Sequence, residues 1–232
     1  MAGRNRGGRV DGWTGRRRLR LGFAVLAASI AACGGEKASV GADSAKTAPN
    51  APASAENTGA APDSFRVAFE TTRGKFVVQV NRAWAPNGAD RFYQLVNQQF
   101  FDGEKFFRVV PDFVAQFGLN GDPKKNAPWD SKMLPDDSVR HTNAKGTLTF
   151  AAMPMPNTRS HQLFFNLKDN PALDGMHFAP IGAVVEGQSV VDSLFSGYGD
   201  EPDQTSIGNL GNSYLDRAFP KLDAIKTARV VK

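Results

Sequence analysis

The stretch that decides the fold is Lys105-Phe-Phe-Arg-Val-Val-Pro-Asp-Phe-Val-Ala-Gln-Phe-Gly-Leu-Asn-Gly-Asp122. It predicts two short apolar strands joined by a Pro-Asp turn and followed by a glycine-rich bend. Arg108 and Gln116 interrupt these apolar strands. Because a guanidinium stays charged, Arg108 must contact water, a carboxylate, a carbonyl or a ligand. From this run alone, a solvent-facing side chain and a site residue are equally good interpretations.

Two further motifs follow in the chain, Gln162-Leu-Phe-Phe-Asn166 and Leu173-Asp-Gly-Met-His177. In order and approximate spacing, these motifs and the arginine hairpin resemble the cyclophilin family of peptidyl-prolyl isomerases. The resemblance covers about Phe65 to Val231. It implies a mainly β fold, a closed eight-stranded antiparallel β-barrel capped by two α-helices.

The residue pattern outside these motifs favours the same architecture. One helix is predicted to begin at Pro86, with Ala89, Phe92, Val96 and Phe100 on one face, and a short second helix covers 188–195. Residues 119–145 and 196–220 are rich in polar residues, Gly and Pro and are predicted as loops. The second of these is longer than the family's usual loop. A chain rich in strands with two helices favours a barrel over an α/β sheet. The further predicted strands are 65–71, 75–80, 147–153, 162–166, 180–185 and 221–231.

The resemblance implies an enzyme that isomerises X–Pro peptide bonds by stabilising the transition state at the proline nitrogen. Arg108 matches the catalytic donor, and Gln116 matches the glutamine that braces it and binds the substrate. The matching substrate-binding positions are Phe113, Val114, Ala152, Phe164, Leu173 and His177. For His177, a histidine satisfied within a turn is nearly as good an interpretation. Ala172 stands where many members carry an aromatic residue that cyclosporin-type inhibitors use.

Other chemistries have weaker support. Ser160 and His161 are adjacent, so their side chains diverge on a strand, and no nucleophile elbow is present. The three histidines lack metal-ligand spacing, so we expect no metal and no cofactor. The main rival is a catalytically weak cyclophilin-like module that binds Pro-containing segments of envelope proteins.

The N-terminal 33 residues resemble a bacterial lipoprotein signal peptide. A cluster of arginines at 16–18 and 20 precedes a 12-residue apolar segment, Leu21 to Ala32, which is too short to span a bilayer. Cys33, the only cysteine, follows Ile30-Ala31-Ala32 at the position that a lipobox requires for lipidation. An ordinary signal peptide with an incidental cysteine is the alternative, and Sec and twin-arginine export both stay open. We therefore expect a lipid-anchored, extracytoplasmic protein of the bacterial envelope, on the periplasmic face in a Gram-negative cell.

Residues 34–64 are predicted to be a disordered tether, because they are rich in Ala, Pro and Ser and contain almost no large apolar side chain. Residues 65–232 would then form the cyclophilin-like domain. Of the 28 basic residues, seven arginines lie before residue 33, so the rest of the chain is near neutrality. That distribution argues against a nucleic-acid partner. The expected partners are proline-containing polypeptides and the membrane, and we expect a monomer.

Overall fold

Eight strands form one antiparallel sheet in the computed structural model, which describes residues 60–232. Their order across the sheet is β3-β4-β6-β5-β7-β2-β1-β8. The strands are β1 (Ser64–Thr71), β2 (Lys75–Asn81), β3 (Arg108–Val110), β4 (Val114–Phe117), β5 (Thr147–Phe150), β6 (Leu163–Asn166), β7 (Pro180–Glu186) and β8 (Ile225–Val231). The prediction of a mainly β protein with eight antiparallel strands is confirmed.

The closed barrel is not confirmed, because no ladder joins the edge strands β3 and β8. The sheet is curled and open between them. Instead, the segment before β3 contacts β8: the Ile225 N–H donates to the Glu104 carbonyl at 2.8 Å, and Arg229 pairs with Asp102. The reason lies at the outer edge of β3. There the Val109 N–H donates to the carbonyl of Gly199 at 3.1 Å, so a different segment occupies this edge.

Six helices, not the two expected, lie within residues 60–232. Two match the prediction, and the other four lie in segments that were predicted as loops or left unassigned. Packing against the sheet and against each other stabilises short helices whose sequences give little signal of their own. The helices are α1 (Pro86–Asn97), α2 (Pro123–Asp130), α3 (Ala172–Gly175), α4 (Gln188–Asp192), α5 (Gln204–Leu210) and α6 (Asn212–Ala218).

The main core fills the concave side of the sheet with phenylalanine rings. Phe69, Phe117 and Phe165 pack against one another with ring centroids 5.5 to 6.0 Å apart. The predicted apolar face of α1 is buried, including Phe92. Phe100 lies beyond the end of the helix but is also buried, because the chain folds back there. The edge-to-face and stacked contacts among Phe69, Phe117 and Phe165 are arrangements that aromatic rings prefer.

The folded domain includes residues just before β1. Ala61 is buried, and its N–H donates to Asp90 Oδ1 at 2.8 Å. The Asp63 carbonyl accepts the N–H of Arg82 at 2.9 Å. The predicted tether therefore overlaps the folded domain at its last residues. The rest of it, the predicted signal segment and Cys33 lie outside the described residues. None of the helices from residue 60 onward has the length and apolar character that a bilayer crossing requires.

Candidate active site

A cleft of about 630 Å³ brings together seven of the eight residues predicted as catalytic or substrate-binding. Its lining comes from the β3–β4 hairpin, the end of β6, helix α3 and the segment after β5. The seven residues are Arg108, Phe113, Val114, Gln116, Ala152, Phe164 and Leu173.

The hairpin places the two polar residues side by side. Arg108 on β3 lies directly opposite Gln116 on β4 in the antiparallel register. The turn between them is closed by the Phe113 N–H, which donates to the Val110 carbonyl at 3.1 Å. Asp112 in this turn has a φ of 54°, a conformation that aspartate tolerates better than most residues. The Pro-Asp turn thereby sets the register that pairs the arginine with the glutamine.

A short chain of side-chain amides orients Gln116. Its Nε2 donates to Gln162 Oε1 at 2.9 Å. Its own Oε1 consequently faces Arg108, whose Nη1 lies 3.4 Å away. That distance is long for a hydrogen bond. Gln116 therefore orients the guanidinium of Arg108 but holds it only weakly.

Arg108 has no acidic partner among residues 60–232. Its guanidinium carbon lies 5.7 Å from the centroid of the Phe113 ring. The side chain is half-buried, so part of its hydration is lost. A cation held in this way keeps most of its donors available for a ligand.

The floor of the cleft is apolar. Val114, Phe164 and Leu173 form a buried cluster against which Phe113, Ala151 and Phe178 pack. The rings of Phe164 and Phe178 meet edge to face at 5.8 Å. This floor offers an aromatic and aliphatic surface next to a single cation, a combination that suits a small apolar ring bearing a polar atom.

Amide side chains behind the floor connect its two sides. Asn170 donates from Nδ2 to the Phe113 carbonyl at 3.0 Å and to Asn166 Oδ1 at 2.8 Å. Asn143 donates from Nδ2 to Asp174 Oδ1 at 2.7 Å and so ties down helix α3, which carries Leu173. These bonds hold the apolar residues of the floor at fixed positions.

The carboxyl group of Asp174 is ionised within this network. Burial by itself would raise its pKa. Hydrogen bonds from the Thr142 hydroxyl and from the side chain and backbone of Asn143 outweigh that effect, so the pKa lies below its ordinary value.

His177 lies in the turn that ends helix α3. It is exposed, has a φ of 65° and does not line the cleft. The turn that ends α3 directs the chain so that the next residue, Phe178, lines the cleft instead. Sequence reasoning missed Phe178, although a phenylalanine directly after the motif was the available signal.

Methionines are a second feature that sequence reasoning missed. All four beyond residue 1 are exposed, by 45% for Met133, 54% for Met153 and 63% for both Met155 and Met176. Met133 and Met153 line the cleft. The available signal was the Met-Pro-Met-Pro segment at 153–156. We refer to Met133 and Met153 as the methionine side of the cleft.

A buried carboxyl lies behind the bend that follows β4. The Gly118 N–H donates to Glu104 Oε2 at 2.8 Å. Gly118 has a φ of 105°, and a Cβ there would collide with the backbone of His161 and Gln162. Complete burial of Glu104 raises its pKa well above the ordinary value, despite the hydrogen bond from Gly118. Burial thus favours the protonated form of this carboxyl.

Residues 60–232 contain no group of three or more His, Cys, Asp or Glu side chains arranged to hold a metal ion.

The sequence matches known proteins over most of the folded domain. Residues 66–210 match the family model described as cyclophilin type peptidyl-prolyl cis-trans isomerase. Peptidyl-prolyl cis-trans isomerase ppi1 of Schizosaccharomyces pombe is 36% identical over 131 residues, which cover 53% of this chain and 81% of the relative. Peptidyl-prolyl cis-trans isomerase A of Dickeya dadantii is 31% identical over 141 residues, covering 58% and 73%.

Solved structures show the same fold. The crystal structure of a cyclophilin type isomerase from Cryptosporidium parvum superposes with a TM-score of 0.56 at 17% identity, covering 73% of this chain and 98% of that one. The fold and the cleft thus define a cyclophilin-like domain. The chain belongs to the family of cyclophilin type peptidyl-prolyl cis-trans isomerases. Its activity is the isomerisation of peptide bonds that precede proline.

Proposed function

We propose that Arg108 carries the isomerisation step and that the clients are exported polypeptides at the bacterial envelope. The observation that carries the catalytic part is a cation that has no acidic partner among the described residues and lies beside an apolar floor. Within residues 60–232, Arg108 is the only arginine among the residues that line this cleft, and no lysine lines it.

The chemistry of the X–Pro bond makes such a cation effective. The barrier to rotation is amide resonance, about 18–20 kcal/mol. In the twisted state the proline nitrogen regains its lone pair and accepts a hydrogen bond. Arg108 donates to this nitrogen, so it stabilises the twisted state more than either planar state. The weak hold of Gln116 on the guanidinium, at 3.4 Å, leaves a donor for this bond.

The remaining predicted residues bind the substrate. Phe113, Phe164 and Leu173 contact the proline ring, with Val114 beneath them. The backbone N–H and carbonyl of Ala152 make no hydrogen bond within the described part of the chain, so they are available to a peptide backbone. A Cryptosporidium parvum relative was crystallised in the presence of the dipeptide Ala-Pro, which supports proline-containing substrates here.

Wild-type protein tests the proposal on a short Ala-Pro peptide. Exchange between the cis and trans forms, followed by NMR, should be faster than in the peptide alone. Binding without any acceleration would instead indicate a module that only captures Pro-containing segments. Matched spectra of the same peptide with Phe164→Ala protein show whether acceleration depends on the apolar floor.

The proposed location rests on the arginine cluster, the apolar segment and Cys33 near the N-terminus. Lipidation at Cys33 would anchor the domain to the envelope and leave the cleft facing exported chains. Cell fractionation with wild-type and Cys33→Ala protein tests this proposal. Release of the variant alone into the soluble fraction supports it, whereas a soluble wild type whose intact mass lacks lipid contradicts it.

A further inference from the structure

We infer that residues 197–219 form an added wall of the substrate cleft, and that Gln204 on this wall binds the client backbone beyond the residues that directly flank the Ala-Pro unit. This inference rests on the proposed function, because it assigns a further contact to the same substrate. The segment was predicted as a loop longer than the family's usual one. In the structure it carries helices α5 and α6.

A second small core attaches this wall directly behind Arg108. Phe107 is fully buried against Leu119 of the glycine-rich bend and against Ile207 and Leu215 of the wall. Phe107, directly before β3, enters this core, while the next residue, Arg108, lines the cleft. The wall therefore packs against the strand that carries the catalytic cation.

Backbone contacts fix the wall at two further points. The Val109 N–H donates to the Gly199 carbonyl at 3.1 Å, and the Asn212 N–H donates to the Gly121 carbonyl at 3.0 Å. Gly211 has a φ of 58°, and a Cβ there would collide with the backbone of Gly121. Such close approach is possible only for glycine. These contacts make the wall a fixed part of the cleft.

Gln204 is presented to the cleft from this fixed base. It is the first residue of α5, and Asp203 caps that helix by accepting the Ser206 N–H at 2.8 Å. The Asp203 N–H in turn donates to the Tyr214 hydroxyl at 3.3 Å. The side chain of Gln204 is exposed, lines the same cleft as Arg108 and makes no hydrogen bond within residues 60–232.

The chemistry of this side chain selects the ligand. A primary amide both donates and accepts, as a peptide backbone does, so Gln204 pairs with an extended chain whatever its sequence. The cleft of about 630 Å³ is several times larger than a proline ring requires. A wall that is already positioned loses little entropy when it binds. Gln204 thus extends recognition from the proline to client backbone that lies beyond the residues directly flanking the Ala-Pro unit.

The experiment compares peptides of different length with full-length wild-type, Gln204→Ala and Thr205→Ala protein. One peptide is a blocked Ala-Pro unit with a single residue on each side, and two others extend it by four residues on the N-terminal or the C-terminal side. Exchange NMR gives the Kd and the rate of isomerisation for each pair. Thr205 is the matched control, because it is the exposed neighbour that does not line the cleft.

We expect Gln204→Ala to raise the Kd about two- to tenfold for one of the extended peptides, the range of a single hydrogen bond. The short peptide should keep its Kd and its isomerisation rate, and Thr205→Ala should match wild type throughout. Equal Kd values for Gln204→Ala and wild type with both extended peptides would overturn the inference. A wild type that fails to accelerate the short peptide would contradict the proposed function instead.

Discussion

Replacing Arg108 by alanine should separate the catalytic step from folding and from binding. The lost interactions in the folded protein are small. They are one hydrogen bond at the 3.4 Å limit and a cation–π contact at 5.7 Å, the latter worth about 0.5–1 kcal/mol at a partly exposed site. The free energy of unfolding should therefore fall by at most about 1 kcal/mol, or about 2–4 °C in Tm.

The transition state should lose much more. Removing one preorganised donor typically lowers the rate by about 10²–10³, or about 2.7–4 kcal/mol. Because a planar amide nitrogen is a poor acceptor, Arg108→Ala should change the Kd for an Ala-Pro peptide little while kcat/KM falls by that factor. Arg108→Lys keeps the charge but loses the planar fork, so it should recover only part of the rate.

The assay is exchange NMR on an Ala-Pro peptide, with thermal unfolding measured on the same samples. Arg66→Ala is the matched control, since Arg66 is an exposed arginine of β1 that pairs with Glu186 at 3.4 Å and does not line the cleft. The reasoning is refuted if folded Arg108→Ala isomerises the peptide as fast as wild type does.

Three further substitutions have distinct expected outcomes. Phe113→Ala should raise the Kd and lower kcat/KM by a similar factor, about tenfold each, because the proline ring loses an apolar surface in ground and transition states alike; the same NMR assay measures both. Ala172→Trp should tighten cyclosporin binding by about 1–3 kcal/mol in calorimetry, since Ala172 is exposed beside Leu173 and an aromatic ring adds apolar surface there. The free energy of unfolding of the wild type should fall as the pH rises, and Glu104→Gln should remove this fall. Urea unfolding at several pH values measures both proteins. The raised pKa of buried Glu104 means that the folded state holds this proton more tightly than the unfolded chain, so wild-type stability falls as the pH rises above the ordinary glutamate range.

For each of these three predictions, one result would contradict the reasoning. A Phe113→Ala variant that loses rate but keeps its Kd would show that the ring acts on the transition state alone. Unchanged cyclosporin affinity in Ala172→Trp would mean that α3 does not reach the inhibitor. The Glu104→Gln variant keeps an acceptor for the Gly118 N–H, so a pH slope equal to that of wild type would assign the slope to other groups.

The paired position of Arg108 and Gln116 could be predicted because it depends on local sequence. A Pro-Asp turn between two apolar strands sets the hairpin register within a dozen residues. For His177 the sequence left two interpretations open. Its place depends on a left-handed backbone conformation at the end of a four-residue helix, which the motif Leu-Asp-Gly-Met-His does not reveal.

Helices α5 and α6 were missed for a different reason. Their segment contains Gly208 and Gly211, and glycine lowers helix propensity by about 1 kcal/mol relative to alanine. The stabilising contacts come from Phe107 and Leu119, which lie about a hundred residues earlier in the chain. A local window contains no information about such partners, so a loop was the natural expectation. The amide of Gln204 became part of the site only through this long-range packing.

The two sides of the cleft differ in stiffness, with consequences for the range of clients. If the proposed function holds, the proline ring binds against a buried apolar floor, next to which Asn170 holds the Phe113 backbone. The methionine side consists of unbranched, polarisable chains that adjust their rotamers to the neighbour presented to them. We therefore expect such a cleft to be strict about the imino acid and permissive about the residues around it. A folding catalyst that must process many unrelated chains needs both properties at once.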